Sequence, residues 1–138
     1  MLKRILVPID GTEYSWRALE YASALARLSS GSLVVMTVSK EDTPAPILFA
    51  GEDCLVAQIG NEVLDVARAI MSGQGVECSY LLEQDSSVTE SILHTEKVER
   101  CDAIVLGSRG FGALEGLFKG SVSQVIVESA DVPVIIVK

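Results

Sequence analysis

Short apolar runs alternate with longer stretches of helical periodicity along this 138-residue chain. Between the apolar runs, hydrophobic residues recur at three- and four-residue spacing, which predicts four helices. Strands that alternate with helices favour a parallel sheet with helices on both faces. The pattern therefore predicts an α/β fold, and we expect residues 1–138 to form a single domain. The runs that predict strands are 5–9, 32–38, 76–82, 103–106 and 132–138.

The connection after the first predicted strand carries two signals. Proline removes a hydrogen bond from a central strand, so Pro8 is expected at the end of the strand. Asp10 and Thr12 are both suitable helix N-caps, and Asp10 and Glu13 have the spacing of a capping box. Asp10 has a second interpretation, because a carboxylate at the carboxyl end of a parallel strand lies where open α/β sheets bind ligands. The pattern leaves both roles open.

Turn residues and caps mark the other boundaries. Gly31 has the place of a left-handed residue that closes the first helix, and Ser87 with Glu90 predicts a further capping box. Residues 39–54 contain two prolines and no periodic pattern, which predicts an irregular, mobile segment. The run 76–82 alternates apolar and polar residues and therefore predicts a half-exposed edge strand.

Composition and charge narrow the functional class. The net charge is −8, and a negative surface repels nucleic-acid phosphates and anionic lipids. We therefore expect neither nucleic-acid binding nor membrane insertion. The three cysteines lack metal-ligand spacing and His94 is the only histidine, so we predict free thiols, a surface histidine and no metal site. The chain shows no signal peptide or long apolar segment, which favours a cytoplasmic protein.

Glycines are concentrated after the fourth predicted strand, at positions 107, 110, 112, 116 and 120. A helical period begins directly after Gly120. A strand, a glycine-rich loop and a helix start together present backbone N–H groups to a phosphate. Neither a Walker P-loop nor the Gly-x-Gly-x-x-Gly dinucleotide fingerprint occurs in the chain. The pattern alone also allows a surface loop whose glycines serve only turns.

The spacing Gly107-x-x-Gly110, nine residues, then Gly120-Ser121 resembles the nucleotide-binding signature of the universal stress protein family. The first-strand ending Pro-Ile-Asp-Gly-Thr, residues 8–12, is similar to that family too. The resemblance implies a Rossmann-like, open five-stranded parallel sheet in the order 3-2-1-4-5, with ATP at its carboxyl edge. The residues it assigns to the nucleotide are Pro8, Ile9, Asp10, Val38, Gly107, Arg109, Gly110, Gly120, Ser121, Val122 and Ser123.

The resemblance also implies partners and a role. Members of the family commonly pair through the last strand, which predicts a homodimer through Val132 to Val137. The implied ligand is an adenine nucleotide, with or without magnesium, in a regulatory or stress-response role with an unidentified protein partner. Two alternatives remain: slow ATP hydrolysis in the same pocket, and a signalling module that binds no nucleotide. No acid–histidine pair accompanies the loop, so no catalytic residue is predicted.

Overall fold

The computed structural model describes residues 1–39, 52–110 and 121–138. Within these residues, five strands alternate with four helices, as the hydrophobic pattern predicts. The strands are β1 (Arg4–Pro8), β2 (Ser32–Ser39), β3 (Glu77–Gln84), β4 (Ala103–Gly107) and β5 (Val134–Val137). The helices are α1 (Glu13–Ser29), α2 (Glu52–Met71), α3 (Val88–Val98) and α4 (Ser121–Ser129).

The five strands form one sheet in the order β3-β2-β1-β4-β5, and each pairing is parallel. β1 is central: Leu6 lies in register with Val34 of β2 on one side and with Ile104 of β4 on the other. The predicted strand order is therefore confirmed. β2 and β3 add to one side of β1, whereas β4 and β5 add to the other. Such a switch point leaves a crevice at the carboxyl ends of β1 and β4.

Each face of the sheet is covered by a pair of helices. On one face, Val7 packs in a cluster with Leu19 of α1, and α2 completes that layer. On the other face, Leu6 packs with Ile92 of α3 and Ile126 of α4. All five side chains are fully buried, and burial of each contributes about 1.5–3 kcal/mol. Burial on both faces explains why the central strands are continuously apolar rather than alternating.

The start of α1 corrects one prediction. Pro8 is the last residue of β1, as predicted, and of the two candidate N-caps of α1 the cap is Thr12, whose hydroxyl accepts the Ser15 N–H. Asp10 precedes the cap, and its Oδ1 accepts hydrogen bonds from the Thr12 N–H at 3.0 Å and the Thr12 hydroxyl at 2.6 Å. The predicted capping box of Asp10 and Glu13 is wrong because Asp10 orients the cap residue instead of being the cap.

The end of α1 corrects a second prediction. The left-handed residue is Ser30, with φ of 56°, and not Gly31. The Gly31 N–H donates to the Ala26 carbonyl at 2.8 Å, which closes the last turn. A Cβ atom at Gly31 would collide with the backbone carbonyl oxygen of Leu2. Glycine is therefore required here by the close passage of the N-terminal segment, not by its own φ angle.

The cap of α3 forms half of the predicted box. The Ser87 hydroxyl accepts the Glu90 N–H at 3.2 Å, as predicted. In the predicted box the Glu90 side chain would accept the Ser87 N–H. That N–H donates instead to Asp85 Oδ1, at 3.0 Å. An aspartate two residues before the cap therefore recurs at both helices, because Asp10 and Thr12 have the same relation at α1.

The predictions for the edge strand, the histidine and two of the cysteines are confirmed. β3 is an edge strand, and His94 is exposed. Cys78 and Cys101 are free thiols, and burial raises the pKa of Cys101 to about 11. Among the described helices, none is long and apolar enough to cross a membrane. Both ends of the predicted irregular segment 39–54 are corrected, because Ser39 belongs to β2 and residues from Glu52 belong to α2; residues 40–51 lie outside the described residues.

Candidate functional site

The carboxyl ends of β1 and β4 border a cleft that the start of α4 closes on one side. β1 and β4 are hydrogen-bonded neighbours, so the segments that follow Pro8 and Gly107 emerge side by side. Two stretches almost one hundred residues apart in the chain thus meet at one edge of the sheet. The cleft is lined by Pro8, Asp10, Ser15, Leu106, Gly107, Ser108, Arg109, Gly110, Val122 and Ser123.

Gly110 keeps the cleft open at its contact with Asp10. The φ angle of Gly110 is +123°, a backbone conformation that residues with a Cβ atom rarely adopt. A Cβ atom built there would collide with Oδ2 of Asp10. The missing side chain therefore has two consequences: the loop can take this turn, and its backbone can lie directly against the carboxylate.

Gly107 brings α1 and β4 together at the back of the cleft. A Cβ atom at Gly107 would lie 2.9 Å from the carbonyl carbon, the carbonyl oxygen and the Cβ of Tyr14. Such distances leave no room for any larger residue at the end of β4. On the other side of β4, the Ser108 N–H donates to the Val137 carbonyl at 2.8 Å. The start of the glycine loop is therefore held by both α1 and β5.

Arg109 supplies positive charge at the rim. Its side chain is exposed, and its Cζ lies 5.7 Å from the centroid of the Tyr14 ring. Of the carboxylates that the structure describes, none forms a salt bridge with this guanidinium. Its charge is thus directed to the cleft and to solvent in a protein whose net charge is −8.

The structure brings most of the predicted nucleotide residues together. Ile9 is fully buried in the core, and its N–H donates to the Met36 carbonyl at 2.8 Å. Val38 is half-buried near the end of β2, where it packs on the α3 and α4 side of the sheet. Ser121 begins α4, and Gly120 lies outside the described residues. The predicted residues that line the cleft are Pro8, Asp10, Gly107, Arg109, Gly110, Val122 and Ser123.

Four residues of the site were not predicted from the sequence. The cleft is also lined by Ser15, Leu106 and Ser108. The fourth residue is Tyr14, whose ring lies near the Arg109 guanidinium. Ser108 lies inside the Gly107-x-x-Gly110 motif and could have been included on that ground. Leu106 directly precedes that motif on β4, whereas Tyr14 and Ser15 have no local signal, because they enter the site only when α1 packs against the end of β4.

Comparisons with known proteins agree with this geometry. The model of the universal stress protein family matches residues 1–138. A universal stress protein of Thermus aquaticus is 33% identical over 142 aligned residues, which cover 100% of both chains. A solved structure from the same family in Burkholderia pseudomallei is 26% identical, with a TM-score of 0.74 over 99% of this chain and 96% of that one.

A further solved structure is that of the universal stress protein from Archaeoglobus fulgidus in complex with dAMP. It is 25% identical to this chain, with a TM-score of 0.71, and the match covers 100% of each. The strand order, the cleft at the switch point and the full-length family match lead to one conclusion: this chain belongs to the universal stress protein family.

Proposed function

We propose that this protein binds an adenine nucleotide, ATP in particular, in the cleft between β1 and β4, and that it acts as a regulatory protein. One observation carries the proposal: the backbone at Gly110 lies against the Asp10 carboxylate in a space that a Cβ atom would fill. Close approach of a bare backbone is what a phosphate-binding loop requires. The dAMP complex of the Archaeoglobus fulgidus relative supports a nucleotide as the ligand.

The proposed roles follow from position. Backbone N–H groups near Gly110 and at the start of α4 donate to the phosphates, aided by the Ser123 hydroxyl and the Arg109 guanidinium. Asp10, Pro8 and the backbone near Val38 border the nucleoside. These donors must hold a polyanion against a net charge of −8, so a magnesium ion carried by the phosphates favours binding. The phosphate oxygens are hard ligands that suit such an ion.

Thermal unfolding with and without Mg-ATP tests this function. A ligand at 100 times its Kd stabilises the folded state by about 2.7 kcal/mol, which raises the Tm of a domain of this size by roughly 5–10 °C. Gly120→Val should abolish the shift and leave the fold intact, because its side chain blocks the approach of the phosphates. Phosphate release assayed in the same samples separates binding from hydrolysis. Absence of a shift in the wild-type protein would contradict the proposal.

We further propose that two copies pair through residues 132–137. β5 is the outermost strand, and such an edge invites pairing with a second chain. The carbonyls of Pro133 and Val137 accept hydrogen bonds from Ile104 and Ser108, so the odd-numbered residues of β5 face β4. Since N–H and C=O of one residue point to the same side in a parallel pairing, the groups of Val134 and Ile136 face outward.

This alternation provides a matched pair of variants. Ile136→Pro removes an outward N–H group and should convert the dimer to monomer, with β5 still attached to β4. Ile135→Pro removes an N–H group directed at β4 and should lower the free energy of unfolding instead. Sedimentation velocity and urea unfolding distinguish the two effects. A wild-type protein that sediments as a monomer at all concentrations tested would contradict the dimer.

A further inference from the structure

Two guanidinium groups share one aromatic ring beside the cleft. The Cζ atoms of Arg109 and Arg17 each lie 5.7 Å from the centroid of the Tyr14 ring. Both distances are within the range of cation–π attraction, which holds a cation near a ring without neutralising its charge. Like charges at one ring repel each other, so an anion that approaches either guanidinium relieves that repulsion.

The two arginines differ in the groups that balance their positive charge. Arg17 Nη2 donates to Glu13 Oε1 at 2.8 Å, and Nη1 donates to the Lys138 carbonyl at 3.2 Å. The first contact is an ion pair and the second ties Arg17 to the residue after β5. Arg109 has the ring contact but no salt bridge within the described part of the chain. The charge available to a ligand is therefore that of Arg109.

The base of the Tyr14 side chain is fixed against the end of β4. The backbone of Tyr14 is packed so closely on the end of β4 that a Cβ atom at Gly107 would lie 2.9 Å from it. Arg109 follows Gly107 by two residues, so the segment that carries the cation starts from the same contact that fixes the backbone and Cβ of Tyr14. Packing between α1 and β4 thus sets where the Tyr14 side chain and the Arg109 side chain begin, beside the cleft that Arg109 lines.

We propose that Tyr14 is a positioning residue that holds Arg109 at the rim of the cleft, where it selects ligands with more than one phosphate. This inference rests on the proposed nucleotide function. Arg109 is exposed whereas Gly107 and Gly110 are partly covered, so a phosphate bound by the loop is the inner one. Outer phosphates extend toward solvent and meet the guanidinium, which binds phosphate oxygens in pairs. The cleft then favours a nucleoside triphosphate over a monophosphate.

Affinities for ATP, AMP and inorganic tripolyphosphate test the inference by isothermal titration calorimetry. Arg109→Gln should lower the preference for ATP over AMP about tenfold, and Tyr14→Leu should lower it about three- to fivefold. Tyr14→Phe keeps the ring and should stay within about twofold of wild type. The double variant of Tyr14→Leu and Arg109→Gln should match Arg109→Gln alone, because the ring acts through the arginine.

The chain offers a control at the opposite edge of the sheet. Arg68 lies 4.7 Å from the centroid of the Tyr80 ring on β3, two strands away from β1. Tyr80→Leu removes an equivalent cation–π contact and should leave the ratio of the two affinities unchanged. If Tyr14→Leu weakens ATP and AMP by the same factor, the ring only supports the fold and the inference is overturned.

Tripolyphosphate separates this inference from the proposed function. If it binds in a Tyr14-dependent manner and ATP binds no better, the adenine nucleotide is the wrong ligand and the positioning role stands. If ATP binds with an unchanged preference in Tyr14→Leu, the function stands and the positioning role fails. Absence of binding by all three ligands overturns both.

Discussion

An aspartate lies at each end of the β1–β4 pair, and the two ends use it differently. Before β4, the carboxylate of Asp102 accepts the Lys3 N–H at 2.8 Å and the Arg4 N–H at 3.1 Å. After β1, Asp10 Oδ1 accepts both donors of Thr12. Asp102 joins the start of β4 to the start of β1 by accepting these two backbone N–H groups. Asp10 organises a helix cap and turns its other oxygen toward a glycine loop.

The difference lies in what surrounds each carboxylate. At the amino end of the sheet, Arg4 donates to the Glu99 carbonyl and carboxylate, both at 2.6 Å, and Asp102 is half-buried. At the carboxyl end, Gly107 and Gly110 have no side chains, and a cleft remains. One sheet thus has a closed end, held by hydrogen bonds, and an open end, available to a ligand.

The largest expected effect comes from closing the open end. Gly110→Ala places a Cβ atom on Asp10 Oδ2 and strains a φ angle of +123°. We expect a loss of about 2 kcal/mol in the free energy of unfolding, together with loss of the Mg-ATP shift in Tm. Gly73→Ala is the matched control, because Gly73 also has a positive φ, of +76°, but nothing lies within 4 Å of its added Cβ. That variant should lose stability and keep nucleotide binding.

The next effect tests the closed end. Asp102→Ala leaves two backbone N–H groups of the N-terminal segment without their acceptor, and we expect a loss of about 2 kcal/mol in urea unfolding. Nucleotide affinity should not change. Asp131→Ala breaks the exposed Lys97–Asp131 pair at 3.7 Å and should cost less than about 0.5 kcal/mol. Equal losses in the two variants would contradict a special role for Asp102.

The smallest effect concerns a buried carboxylate on α3, that of Glu96. Glu96 is 4% exposed, and within the described residues its Oε2 has no hydrogen-bond partner. Burial raises the pKa of Glu96, nearby Asp131 raises it further and Lys97 partly opposes the shift. A raised folded-state pKa means that the proton binds the folded chain more tightly. The stabilisation by that proton is complete below the unfolded-state pKa and is lost as the pH rises through the folded-state value.

Glu96→Gln should therefore be more stable than wild type by about 1 kcal/mol at pH 7, with the difference shrinking toward pH 4. Urea unfolding at both pH values measures this difference. A difference that is independent of pH would show that the amide changes packing rather than charge. Nucleotide affinity should be unaffected at pH 7, because Glu96 lies on α3 and does not line the cleft.

More of the fold than of the site could be predicted from the sequence. Helices and strands were predicted because burial imposes a periodic pattern that short windows reveal. Element ends were less accessible: Ser30 rather than Gly31 takes the left-handed conformation, and residue 31 is glycine because the Leu2 carbonyl occupies the space beside it. Tyr14 was missed for a similar reason. Its part in the site depends on contact with Gly107, which lies in a different element and far along the chain.

The sequence by itself determined the alternation of strands and helices, the apolar core and the glycine spacing that led to the universal stress protein family. These properties are local, because each depends on neighbours within a few turns or one strand. Only the tertiary structure decided which oxygen of Asp10 borders Gly110 and which aromatic ring lies beside the Arg109 guanidinium. Those relations join residues almost one hundred positions apart, and they exist only after the sheet has brought the ends of β1 and β4 side by side.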